Sequence, residues 1–220
     1  MARQPARGFR AGVDSVLVAA AVPARAGDTV LELGCGVGVA SLCLAARVPV
    51  DIVGVEREPE YAELAAQNVT DAGAKMRVVC ANVETLPNAV RELSFDHVFT
   101  NPPYFRSDTR TESTSALREA AMAENTSLDT WITVGAKRCK PKGTLTLIQS
   151  AIRLQDVLVA LSAHAGSVTI QPIASRIGRP AHLAIVQWRK GAKAPLQLNA
   201  ALILHEGTQH MGDQDSYTKE

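Results

Sequence analysis

The 220-residue sequence predicts an α/β fold: a mostly parallel, doubly wound sheet of seven strands with helices on both faces. Three observations carry that prediction. Short β-rich runs alternate with helical patterns along the chain. Several of those runs are apolar nearly throughout, as strands buried on both faces must be. The first run ends in a glycine-rich turn that opens a helix, and strand-helix alternation of this kind folds with right-handed crossovers. With 46% hydrophobic and 20% charged residues the chain can fill one large core. No linker, repeat or low-complexity segment divides it, so residues 1–220 read as one domain. The same composition excludes a disordered chain, a collagen-like repeat and a membrane bundle.

The elements follow in order. Arg3, Arg7 and Arg10 precede the apolar stretch 16–22 and then Ala24-Arg25-Ala26, which superficially looks like a secretory signal. Seven apolar residues edged by Asp14 and Pro23 are too few, and a ligand-binding motif follows at once. A short amphipathic helix within an amino-terminal segment 1–28 is the better reading, in a cytoplasmic protein. Strands are predicted at 29–33, 51–56, 77–83, 96–101, 144–149, 168–172 and 182–188. Helices are predicted near 38–48, 59–71, 87–93, 116–138 and 152–164. The polar, aperiodic stretch 207–220 reads as a flexible tail. Cys35, Cys43, Cys80 and Cys139 form no CxxC pair and no metal-ligand cluster, so reduced thiols without a metal are expected.

The first strand runs into Glu32-Leu33-Gly34-Cys35-Gly36-Val37-Gly38. Such glycines allow a tight turn and let a ligand lie against backbone at a helix N-terminus. The spacing is E-x-G-x-G-x-G rather than G-x-G-x-x-G, and no basic residue follows to hold a phosphate. The second strand ends in Glu56, 18 residues beyond Gly38, where a carboxylate can accept hydrogen bonds from both hydroxyls of an unphosphorylated ribose. A ribose and an amino acid without a pyrophosphate describe S-adenosylmethionine. Glu32, Gly34, Cys35, Gly36, Gly38 and Glu56 are therefore the candidate cofactor residues.

The fourth strand runs into Asn101-Pro102-Pro103-Tyr104. Two prolines freeze this backbone at a strand end, where ligands of such sheets sit. The Asn101 side-chain oxygen and the Pro102 carbonyl make a pair of acceptors for an NH₂ group. The Tyr104 ring offers a stacking face worth roughly 1–3 kcal/mol per base. An exocyclic adenine amine is a poor nucleophile because its lone pair is delocalised into the ring. Two acceptors on its hydrogens favour a pyramidal nitrogen and stabilise the positive charge that develops there. Asn101, Pro102, Pro103 and Tyr104 are the candidate catalytic residues.

These residues resemble the class I amino-methyltransferases, a Rossmann-like family that modifies adenine, guanine or glutamine amines. Gly8-Phe9-Arg10-Ala11-Gly12-Val13-Asp14-Ser15, then Lys140-Pro141-Lys142-Gly143, Ile152-Arg153-Leu154, His205-Glu206-Gly207 and Tyr217-Thr218 narrow the likeness. They resemble the bacterial valine-tRNA adenine-N6 methyltransferases. Membership implies methylation of the adenine next to the anticodon, with Asn101, Pro102 and Tyr104 holding the flipped base. Family members often continue beyond the Tyr-Thr pair, whereas this chain stops at Glu220. Many methyltransferases put an acidic residue on the cofactor adenine after the third strand; here Asn82 stands there, with Glu84 as its rival. Asp14 is placed near the site, or else as the N-cap of the helix at Val16.

An RNA substrate calls for positive charge. The net charge is only +1, but residues 174–193 hold Arg176, Arg179, Arg189, Lys190 and Lys193 with no acidic residue. Lys137, Arg138, Lys140 and Lys142 form a second cluster, and Arg3, Arg7 and Arg10 a third. Together they predict an RNA-facing rim, with Arg10, Arg176 and Arg179 touching substrate. Residues 106–115 read as a substrate lid. His97, His164, His182 and His210 read as structural or solvated, and Trp188 as core. Three rivals take the same acceptor turn. A protein glutamine N5-methyltransferase usually has a helical domain where only 28 residues precede the first strand. An rRNA guanine-N2 enzyme often carries Phe at the Tyr104 position, and a DNA adenine enzyme would need a target-recognition domain. A noncatalytic SAM- or RNA-binding module is the alternative of another class.

Overall fold

A computed structural model describes residues 2–6, 10–104, 126–207 and 217–218. The seven expected strands are present as β1 (Thr29–Leu33), β2 (Asp51–Glu56), β3 (Met76–Cys80), β4 (Phe95–Thr100), β5 (Cys139–Ser150), β6 (Gly166–Ala174) and β7 (Leu183–Lys190). Two further strands of two residues each, β8 (Gln197–Leu198) and β9 (Leu202–Ile203), run alongside β6. The helices are α1 (Val13–Ala21), α2 (Val39–Arg47), α3 (Pro59–Ala72), α4 (Asn88–Arg91), α5 (Leu128–Arg138) and α6 (Leu154–Ser162).

The sheet order is β3-β2-β1-β4-β5-β7-β6-β8, with β9 also on β6. Every strand pair is parallel except those made by β7, which runs between β5 and β6 against both. Strand order reverses between β1 and β4, so a crevice opens outside their carboxyl ends. There the Thr100 hydroxyl donates to the Leu33 carbonyl at 2.9 Å and ties the two strand ends together.

Alternation along the strands builds a core on each face. Leu31 and Leu33, Val98, Leu145 and Leu147, and Val186 and Trp188 face α5 and α6. Val30, Phe99, Ile148, Leu183 and Ile185 face α1 and α2. Trp188 is core, as expected. Among the described residues no helix is long and apolar enough to cross a membrane.

Two expectations change and a third is made specific. β5 begins at Cys139, not at residue 144: the four residues Lys140–Gly143 lie opposite the single residue Asp96 of β4, and Lys142 takes φ 66°. The proline and the left-handed residue form a bulge within the strand instead of ending it. The supposedly flexible tail is tied down in part: the Tyr217 ring stacks on His205, and Thr218 donates to the carbonyls of Leu204 and Ile203. His97 is structural but partnered, with Thr144 at 2.7 Å and Asp28 at 3.1 Å. Of the predicted helix at 116–138, residues 116–125 lie outside the described residues, as do Arg7, the lid at 106–115 and His210.

Candidate active site

A cleft of about 410 Å³ lies over the carboxyl ends of β1 and β4. Its walls are Glu32, Gly34, Cys35, Gly36 and Val37 from the glycine turn, Val39 of α2, Tyr61 of α3, Asn101 from the turn after β4, and Ala11 and Ser15 at the start of α1. The turn can follow this path because Gly34, Gly36 and Gly38 have φ of 70°, 53° and 85°, where a Cβ would be strained. The Cys35 amide donates to the Val55 carbonyl at 2.9 Å, and the Gly38 amide to the Cys35 carbonyl at 2.8 Å. A Cβ on Gly36 would meet no atom within 4 Å, so the cleft is open above it.

Two carboxylates stand behind the turn. The Glu56 Oε2 accepts the Gly36 amide at 2.8 Å and its Oε1 accepts the Glu58 amide at 2.9 Å. Two backbone donors thus fix the carboxylate and leave a lone pair on each oxygen. Glu32 is 3% exposed and accepts the Ser41 hydroxyl. Burial pushes its carboxyl up to about 8; the Ser41 hydroxyl and amide oppose this, and the charge of Glu56 adds to it.

The turn after β4 is held from both sides. Gln149, 1% exposed on β5, donates its amide to the Pro103 carbonyl at 3.2 Å. The Tyr104 hydroxyl donates to Asp14 Oδ2 at 2.6 Å. Burial, then this bond and the charge of Asp14, push the phenol well above its ordinary range. Pro102 and Pro103 line a second cavity of about 170 Å³ with Thr126, Leu128, Trp131 and Arg153. A third clamp lies at the amino end of the chain. Asn68 accepts the Arg3 amide at 2.8 Å, and its NH₂ donates to the carbonyls of Arg3 and Val37, each at 2.9 Å.

With this geometry in place, comparison with known proteins is informative. Residues 30–123 match a family described as a methyltransferase domain. A solved structure from Agrobacterium tumefaciens, described as a predicted O-methyltransferase, superposes with a TM-score of 0.74 at 26% identity, covering 94% of this chain and 92% of that one. The fold is that of the class I S-adenosylmethionine-dependent methyltransferases. The chain is also similar to proteins named tRNA1(Val) (adenine(37)-N6)-methyltransferase. The one from Bacteroides fragilis strain YCH46 is 29% identical over 64% of this chain and 60% of its own length. The one from Shewanella baltica strain OS155 is 32% identical over 69% of this chain and 66% of its own length. The chain therefore spans about two thirds or less of these two relatives.

The residues present fit S-adenosylmethionine, the cofactor of proteins with this fold. The open space over Gly36, bounded by a buried carboxyl and flanked by an oriented one, suits a cationic ligand bearing a ribose. Glu32 would face the positive end, with Gly34, Cys35 and Gly36 forming the floor. Glu56 is not itself a wall of the cleft but is bonded to the Gly36 amide, and from there would hold the ribose hydroxyls. Gly38 serves differently: it is the left-handed N-cap of α2. Asn82 accepts the Glu84 amide at 2.9 Å and caps the 3₁₀ turn Val83–Thr85. Neither Asn82 nor Glu84 lines the cleft among the described residues.

The methyltransferase fold also corrects the basic rim. Lys137, Arg138, Lys140 and Lys142 lie at the amino ends of the parallel strands, opposite the cleft, because Cys139 pairs with Phe95 at the start of β4. Lys140 is paired with Asp96 at 2.8 Å. β7 runs backwards, so Arg189 lies opposite Thr144 and sits at that same far end. Its neighbour Lys190 donates to the carbonyls of Ala136 and Cys139. Arg176 follows the carboxyl end of β6 but is 9% exposed and donates to the Glu206 carbonyl. Burial against a backbone acceptor sets it apart from a solvated rim cation. Arg179 and Arg10 are exposed on the cleft side, and Arg3 pairs with Asp71 at 3.0 Å.

Sequence reasoning missed Ala11, Ser15, Tyr61 and Val39 as cleft walls, and Trp131 and Gln149 as supports. Tyr61 had a usable signal, an aromatic in the first turn of the helix after Glu56. Trp131 and Gln149 act across long sequence separations and left none. Asp14 is the reverse case: α1 starts at Val13 with Gly12 as N-cap, so Asp14 is inside the helix and serves Tyr104 instead of capping.

Proposed function

We propose that this chain transfers the methyl group of S-adenosylmethionine to the exocyclic amine of adenine in RNA, and specifically in a tRNA next to the anticodon. One observation carries the reading: Asn101 lines the same cleft as Glu32, Gly34, Cys35 and Gly36. An NH₂ acceptor and the cofactor floor thus face one space. S-adenosylmethionine supplies an electrophilic methyl group when bound. The chain's own contribution is to fix the amine: Asn101 accepts one amine hydrogen, Pro102 offers its carbonyl for the other, and Tyr104 stacks on the ring. Alignment and stabilisation of the developing charge then lower the barrier without a strong base. The names of the Bacteroides and Shewanella relatives support tRNA adenine as the substrate. The oxygen acceptor named for the Agrobacterium protein is less well matched here, because a hydroxyl nucleophile needs a base and gains nothing from two acceptors.

Labelled methyl transfer to total tRNA from a strain lacking the modification, with mapping of the product, tests the proposal. N6-methyladenine beside the anticodon is the expected product. Transfer only to a glutamine peptide, to guanine or to a hydroxyl would refute it, and so would tight cofactor binding with no transfer. Asn101→Ala should retain cofactor binding and lose turnover.

A further inference from the structure

We infer that Asp14 is a positioning residue for this reaction: its carboxylate holds the Tyr104 ring as a preset stacking platform for the substrate base. The inference deepens the proposed function and rests on it.

Three features of the structure converge. The Tyr104 Oη–Asp14 Oδ2 distance is 2.6 Å, a charge-assisted bond of the short and directional kind. Asp14 sits in the first turn of α1, where a negative side chain is favoured by the helix dipole. The N-cap of α1 is Gly12, not Asp14, and the partner of the Asp14 carboxylate is the Tyr104 hydroxyl. The Tyr104 ring packs against the core on the α1 and α2 face, and Gln149 fixes the neighbouring Pro103 carbonyl. Asp14 pins the one end of the tyrosine that apolar packing leaves undefined. Without it the ring keeps its attachment but can pivot about χ1 and χ2, and a base must order it on binding.

The same turn of α1 contributes Ser15, and the segment just before it Ala11, to the cleft wall. Neither Asp14 nor Tyr104 is among the walls of the space over Gly36. Loss of Asp14 should therefore weaken binding of the base and spare binding of the cofactor.

Four variants test this: Asp14→Ala, Asp14→Asn, Tyr104→Phe, and Asp14→Ala with Tyr104→Phe. Asp14→Ala and Tyr104→Phe should each raise KM for RNA about tenfold with little change in kcat, the pattern of lost uniform binding. The double variant should be no worse than either single one. Asp14→Asn should recover most of the loss, since its amide oxygen still accepts the hydroxyl. Calorimetric cofactor affinity should stay within about twofold throughout. Additive defects, an unrescued Asp14→Asn, or a Tyr104→Phe protein with normal KM would overturn the inference. Should the parent protein fail to methylate RNA, the functional reading falls instead, and ring mobility decides the present point. Read as the difference from Tyr104→Phe, the ring-proton NMR signals of Tyr104 should show faster reorientation in Asp14→Ala than in the parent. Unchanged ring dynamics overturn the inference whatever the substrate.

Discussion

A Cβ added to Gly34 would lie 2.8 Å from the indole of Trp131. The two residues are far apart in sequence, yet Trp131 of α5 seats its six-membered ring on the backbone of the cofactor turn. The turn is therefore shaped from below by a helix as well as by its own glycines.

Gly34→Ala should harm the protein in two separable ways. The left-handed backbone costs about 1–2 kcal/mol for a residue with a Cβ. The overlap with Trp131 adds roughly 1–3 kcal/mol if neighbours must shift. A second change, Trp131→Leu, should relieve the overlap but not the backbone strain. Thermal unfolding of the single and double variants measures both parts, and a Gly34→Ala protein as stable as its parent would contradict this account.

Glu32 predicts a pH dependence. Its carboxyl is raised from 4.5 to about 8 by burial. Between those values the folded protein keeps a proton that the unfolded chain has released, so this group's stabilisation is full below pH 4.5 and is lost as pH rises to about 8. Glu32→Gln should flatten that slope in denaturant titrations. A cationic cofactor favours the ionised carboxyl, so its binding at pH 7 should release about one proton. Calorimetry in two buffers of different ionisation enthalpy reads this directly, and Glu32→Gln should abolish the release.

Glu56 should respond to a single-atom change. Glu56→Gln puts an NH₂ group where an oxygen accepts the amide of Gly36 or Glu58. Loss of charge-assisted hydrogen bonds should weaken cofactor binding by roughly 1.5–3 kcal/mol, about ten- to a hundredfold. Equilibrium binding should show it, together with a lowered melting temperature, because one backbone donor loses its acceptor in the folded protein.

The opposite end of the sheet sets the response to acid. Burial raises the Asp96 carboxyl, but hydrogen bonds from Lys140 and Thr29 outweigh it and hold the group down at about 2. Its stabilisation is present above pH 3.8 and is lost as pH falls towards 2. Lys140→Met should move the acid-unfolding midpoint to higher pH while leaving RNA affinity unchanged, because Lys140 lies away from the cleft. A salt-dependent loss of RNA binding in that variant would restore it to the substrate rim.

What could be read from the sequence follows from how local each signal is. Seven strands were visible because each is a short apolar run between turn residues. The reversed direction of β7 was not, since an antiparallel neighbour carries the same apolar pattern as a parallel one. That reversal misled the reading of charge: Arg189 and Lys190 are near Arg176 and Arg179 in sequence but at the other end of the sheet. β8 and β9 are too short for any period. Glu32, Gly34, Cys35, Gly36 and Asn101 line one cleft because it takes them from two neighbouring strand ends, which local sequence marks. Asp14 had a local explanation, a helix cap, that competed with its actual partner 90 residues away.

The Asn68 clamp ties the amino-terminal stretch to the cofactor turn. One amide group donates to the carbonyls of both Arg3 and Val37, so Asn68→Ala would deprive two backbone carbonyls, 34 positions apart, of the same donor at once.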